Sequence, residues 1–100
     1  MKPYNLSSYA LLLLLVADMC GLEADEIIFT GGDTHIYSNH VEQCKTLLER
    51  EPYDLPKLVM PDIPKGSTKE QLEFLMSLSA DDFKLVGYKY HPKLVAKMAV

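Results

Sequence analysis

The segment Tyr9–Ala17, with five consecutive leucines at Leu11–Leu15, constrains this chain more than any other stretch. A run this apolar has no polar face to offer water, so it must be enclosed by a bilayer, consumed as an export signal or buried in a protein core. A membrane-spanning helix needs about 20 apolar residues, and Asp18 ends this run too early. A signal peptide needs only a short apolar core. However, Ala17-Asp18-Met19-Cys20 puts methionine where a small residue is wanted before a cut, and Lys2 is the single lysine ahead of the run. A secreted form would show a mature mass lacking the first residues. The favoured reading is a helix buried on nearly all sides in a soluble core.

Pro3 restricts the approach to that helix, Ser7 or Ser8 offers an N-cap hydroxyl, and Gly21 is a natural stop. Glu26–Thr30 is rich in β-branched and aromatic residues and predicts a strand, which Gly31-Gly32 interrupts as a bulge or close approach. Asn39 with Glu42 forms a candidate capping box for a second helix whose buried stripe is Val41, Cys44, Leu47 and Leu48. Four prolines punctuate the connection between Glu51 and Gly66, with a short strand predicted at Lys57–Met60. Ser67 and Glu70 are another capping box, ahead of Leu72, Leu75 and Met76 on one helical face. Lys84–Tyr88 is a last short strand.

Helices and strands alternate without a regular βαβ rhythm, so the expected class is α+β. No repeat occurs, and no linker separates two folded units. Two modest amphipathic helices and a few strands are thin cover for the leucine-rich helix. The shortage points to a missing half or a partner subunit.

Ten basic against fourteen acidic residues give a net charge of −4, with no basic block to neutralise a run of phosphates. A nucleic-acid polymer is excluded as a partner. Two cysteines, Cys20 and Cys44, are too few for a disulfide scaffold and indicate reduced thiols in a cytosol. Cys44 reads as a core residue on an apolar stripe, and Cys20 has no cationic neighbour in sequence to activate it. His35, His40 and Cys44 form a sparse ligand set without the paired spacing of zinc sites, so no metal is assigned.

In TGGDTHIYSNH, period-2 geometry sends Asp33, His35 and Tyr37 to one face of an extended segment. A carboxylate, an imidazole and a phenol in a row can hydrogen-bond a sugar hydroxyl or another polar ligand. Two plainer readings stand beside it: an exposed polar strand face, and a core histidine held by Asp33.

Together PYNLSSYALL, CGLEADEIIFTGGDTHIYSNHVEQCK, LEREP, PKL and the ending GYKYHPKLVAKMAV resemble the C-terminal segment of thymidylate synthases. The resemblance runs from Pro3 to Val100, and STKEQLEFLMSLSADDF is most similar to the phage-type branch. It implies the C-terminal part of that fold over residues 1–100, and a role in reductive methylation of dUMP to dTMP by 5,10-methylenetetrahydrofolate, without a metal. It implies that Asn5 contacts the uracil edge, that His35 and Tyr37 hold the deoxyribose 3′-hydroxyl, and that Asp33 supports them. Tyr4 stands where the family usually has phenylalanine at the folate side, and Ala99 with Val100 match residues that close over folate. Related deoxycytidylate hydroxymethylases carry aspartate at the position of Asn5, so asparagine favours uracil.

The family's nucleophile lies in a Pro-Pro-Cys-His motif upstream of the matched region, and neither Cys20 nor Cys44 occupies that place. The phosphate-binding arginines, the catalytic glutamate and the folate-pocket tryptophans are also upstream. No catalytic residue is therefore expected in this chain, and by itself it is expected to be inactive. The resemblance further implies a homodimer, a cytoplasmic location (the host's, if phage-encoded), and a missing N-terminal synthase segment or an intact synthase subunit as partner. The rival reading is a non-catalytic fragment or interaction protein that docks on an intact synthase.

Overall fold

The computed structural model describes residues 2–98. In chain order they form α1 (Lys2–Met19), a 3₁₀ turn (Ser38–His40), α2 (Val41–Glu49), β1 (Lys57–Val59), α3 (Thr68–Ser77), a second 3₁₀ turn (Ala80–Asp82) and β2 (Lys84–Val86). The class is α+β. The chain divides into two compact units, Met1–Phe29 with Met60–Phe83 and Thr30–Val59 with Lys84–Val100, so it passes between them three times with no linker.

The first unit is built on α1. The helix begins earlier than the serines suggest: Pro3 sits in the first turn, where its missing N–H costs nothing. Ser7 and Ser8 are therefore interior, and their hydroxyls donate back to the carbonyls of Pro3 and Tyr4, each at 3.0 Å, instead of capping. No described helix is long and apolar enough to cross a membrane.

The C-terminal end of α1 is closed by hydrogen bonds. Gly21 has φ +68°, its N–H reaches the Asp18 carbonyl at 3.2 Å, and the Leu22 N–H reaches the Ala17 carbonyl at 2.8 Å. These are the two bonds of a Schellman stop, and only glycine enters that left-handed region without steric cost. Side chains from the second half of the unit satisfy what is left. Lys65 Nζ donates to the Asp18 carbonyl and lies 3.4 Å from its carboxylate, and Gln71 Nε2 donates to the carbonyls of Met19 at 3.0 Å and Pro64 at 3.1 Å. A cation at this end also complements the helix dipole. The Ser67 hydroxyl accepts from the Glu70 N–H at 3.2 Å, as the capping pattern predicts, and starts α3.

The expected enclosure of α1 is not supplied by this chain. Ala17 and Ile63, 8% and 3% exposed, are the buried apolar residues among those described, while Leu12 and Val16 stand about half exposed. On α3 the sheltered positions are Gln71, Phe74, Leu75 and Leu78, whereas the predicted Leu72 and Met76 face outward. Glu26–Thr30 is not a strand: the ladder among the described residues joins Lys57–Val59 to Lys84–Val86, and this segment lies outside it. The glycine pair accordingly makes no bulge. Instead the Thr34 N–H closes a three-residue turn on the Gly32 carbonyl at 3.0 Å.

In the second unit β1 and β2 form an antiparallel pair with Lys57 opposite Val86, Leu58 opposite Leu85 and Val59 opposite Lys84. Asn39 does not cap α2, because residues 38–40 are already in the 3₁₀ turn and His40 stands at the cap position without a side-chain bond. The stripe on α2 is likewise uncovered: Cys44 is half-buried, but Val41 and Leu47 are exposed and Leu48 is 85% exposed.

The total surface is 9083 Å². A compact monomer of 11.3 kDa exposes about 5,700 Å², and even two independent compact units sharing that mass would expose only about 6,900 Å². The chain therefore carries apolar surface far beyond what it covers itself. Two substitutions test the local stops. Gly21→Ala should lower stability by about 1 kcal/mol, since alanine at φ +68° meets the left-handed penalty. Ser67→Ala should cost about 1 kcal/mol through the lost cap, and Ser67→Gly much less. Urea denaturation followed by circular dichroism reads both; unchanged midpoints would contradict the assigned caps.

Candidate functional site

The polar row of TGGDTHIYSNH lies wholly within the second unit. Its geometry follows from a short extended run between two turns: the three-residue turn at Gly32–Thr34 fixes where it starts, and Tyr37, at φ −64° and ψ 142°, ends it ahead of the 3₁₀ turn. Alternation holds as expected. The rings of His35 and Tyr37 lie on one side with centroids 5.5 Å apart and tilted by 46°. Tyr37 in turn meets His40 edge-on at 5.4 Å.

His35 Nδ1 is 3.1 Å from the Asp33 backbone carbonyl and 3.6 Å from its carboxylate. A carbonyl only accepts, so Nδ1 carries a proton, and in the tautomer this selects Nε2 is the acceptor. The brace on His35 is thus mainly the Asp33 main chain. Its carboxylate, almost entirely exposed, adds only the small stabilisation of a surface pair. His35 itself is exposed, which removes the reading of a buried core histidine. What remains is an acceptor nitrogen next to a phenol that can donate: a pair able to grip one hydroxyl from two sides.

Asn5 and Tyr4 lie in the first unit, on the N-terminal turns of α1. Asn5 borders a concavity of about 480 Å³ shared with Leu6, Tyr9, Ile27, Ile28 and Phe29, within the roughly 300–1,000 Å³ range of small-molecule sites. One amide on an otherwise apolar wall is a point of polar discrimination. Tyr9 and Ile27–Phe29 escaped the sequence reading. The i,i+4 spacing of Asn5 and Tyr9 was the available signal for one of them, but nothing local announces that 27–29 lie along the same wall. Ala99 and Val100, expected at a folate site, lie outside the described residues. Among the described residues, no three His, Cys, Asp or Glu side chains converge as a metal site, and the His40 ring is engaged elsewhere, 2.6 Å from the Lys97 carbonyl.

Comparison with known proteins agrees with the motifs. The family model for thymidylate synthase matches residues 2–100. The thymidylate synthase of Enterobacteria phage T4 is 50% identical over 102 residues, covering 98% of this chain and 36% of its own length. Among solved structures, that of thymidylate synthase from T4 phage superposes with a TM-score of 0.85 at 50% identity, covering 99% of this chain and 36% of the phage chain. Thermostable thymidylate synthase A from Bacillus subtilis superposes at 0.81 with 33% identity, over 99% of this chain and 33% of its own. This chain thus spans about a third of the length of the relatives it matches, and with that span it belongs to the thymidylate synthase family.

Proposed function

We propose that this chain supplies the nucleoside contacts of a thymidylate synthase, as the C-terminal segment of its catalytic domain. The reaction is reductive methylation of dUMP to dTMP, and the nucleophilic cysteine comes from the part of the synthase that this chain does not match. The observation that carries the reading is the His35–Tyr37 pair, with Nδ1 committed to the Asp33 carbonyl and Nε2 left as acceptor. A deoxyribose 3′-hydroxyl donates to His35 Nε2 and accepts from the Tyr37 phenol. The tautomer makes His35 Nε2 the acceptor, which leaves the phenol O–H to serve as the donor.

Asn5 reads the base. Its carbonyl accepts from N3–H of uracil while its NH₂ donates to O4, and that donor gains strength as attack at C6 drives negative charge onto O4. Cytosine presents the opposite pattern at these two atoms, so an amide held in this orientation rejects it. Tyr9 and Ile27–Phe29 give the amide apolar neighbours along the same wall. 5,10-Methylenetetrahydrofolate supplies the one-carbon unit and the hydride when bound. The exposed aromatic face of Tyr4 suits a flat heteroaromatic ring, and Ala99 and Val100 are assigned to cover it. The exposed apolar side chains of α1 and α2, Leu12, Val16, Leu47 and Leu48 among them, support assembly with the rest of the synthase domain and the homodimer of the family.

Mixing the chain with a separately produced synthase segment bearing Pro-Pro-Cys-His should restore release of tritium from C5-labelled dUMP. No release at any ratio would overturn the reading. In the restored assembly His35→Ala and Tyr37→Phe should each weaken dUMP binding about tenfold by calorimetry, the loss of one hydrogen bond in a desolvated site. Asn5→Asp should shift preference from dUMP towards dCMP, since a carboxylate cannot donate to O4. Unchanged selectivity would remove Asn5 from the base contact.

A further inference from the structure

Four side chains from the start and end of α2 and the turn before it reach across to the C-terminal segment, and all four end on a backbone carbonyl. Arg50 Nη1 donates to the Pro92 carbonyl at 2.9 Å and Gln43 Nε2 to that of Val95 at 3.1 Å. Asn39 Nδ2 and His40 Nε2 converge on the Lys97 carbonyl, at 3.1 and 2.6 Å. Ascending α2 from 39/40 through 43 to 50, the carbonyls descend from 97 through 95 to 92. One side of the helix therefore tracks the tail antiparallel. Apolar burial does little to hold this tail: Val95 and Met98 are 74% and 84% exposed, and Lys97 is exposed. Because a carbonyl only accepts, His40 carries its proton on Nε2, and its ring is set by the edge-on contact with Tyr37.

The geometry points to Asn39, His40 and Gln43 as positioning residues: a clasp that fixes the main chain of residues 95–97 by its carbonyls, next to the positions that the proposed function assigns to folate. That those positions serve a folate site rests on the function proposed above; the clasp itself does not. It joins the hydroxyl-gripping pair to the tail through one short path, His35 to Tyr37 to His40 to the Lys97 carbonyl. None of these contacts uses a tail side chain, so the clasp registers the position of the main chain and not its composition.

Trypsin reads the clasp directly, because cleavage of Lys97–Met98 requires the protease to take the Lys97 carbonyl into its own oxyanion hole. A carbonyl held by two donors must first be released. Limited proteolysis of the full chain, without nucleotide, should show His40→Ala and Asn39→Asp each raising the initial rate of Lys97–Met98 cleavage several-fold. The double variant should raise it about tenfold or more, the scale of two lost hydrogen bonds. Cleavage at Lys84–Leu85, in β2 of the same unit, should stay unchanged. His40→Gln, which keeps an N–H donor of similar reach, should restore the slow rate. Equal rates at Lys97–Met98 in all variants, a parallel rise at Lys84–Leu85, or failure of His40→Gln to rescue would each overturn the clasp. With no nucleotide in the assay, these results are independent of whether the chain contacts dUMP.

Discussion

A helix that is apolar around its whole circumference cannot be satisfied by one neighbour. Most of the structure follows from this property of α1. Fully burying a leucine side chain contributes about 1.5–3 kcal/mol, so a run of five, four of them only partly buried and Leu12 exposed, leaves part of that stabilisation unrealised. The chain spends its local resources on ending the helix correctly, through Gly21, Lys65 and Gln71, and leaves the flanks open. The β-prone segment 26–30 and the outward stripe of α2 share the same deficit: one lies outside the ladder of β1 and β2, the other has no apolar lid among the described residues. All three lacks are met by surrounding a unit with more chain, in keeping with a span of about a third of the T4 relative.

The polar row depends much less on such surroundings. His35, Tyr37 and the Asp33 carbonyl are within four positions of one another in sequence, and the turn closed between Thr34 and Gly32 sets their direction. Short-range geometry of this kind survives where long-range packing is incomplete. The concavity beside Asn5 differs in character, since Asn5 meets Ile27–Phe29 only because the chain returns alongside α1.

That distinction also explains what could be read from the sequence. Elements governed by a local rule were legible: the Gly21 stop, the Ser67 cap, the short strands near 57 and 84, and the alternation of His35 with Tyr37. Those that needed a partner elsewhere were not. Glu26–Thr30 has strand propensity but no place in the ladder, and of the predicted face Leu72, Leu75 and Met76 only Leu75 is sheltered, with Phe74 and Leu78 beside it. Ser7 and Ser8 misled because a hydroxyl near a helix start satisfies either an amide ahead or a carbonyl behind, and Pro3 in the first turn decided for the second. Asn39 misled in a similar way: its amide serves the Lys97 carbonyl, 58 positions along the chain, a use that no local pattern encodes.

A tail gripped by its carbonyls is measured in residues. The exposed side chains of this segment, at 92, 93 and 95–97, are free to vary with little effect on how the strap lies, because the bonds from Arg50, Gln43, Asn39 and His40 all end on carbonyls. A single insertion or deletion between Pro92 and Lys97 is another matter: it would put the carbonyls on one side of it out of step with their donors by about 3 Å. Selection on this segment thus bears on its length more than on its letters.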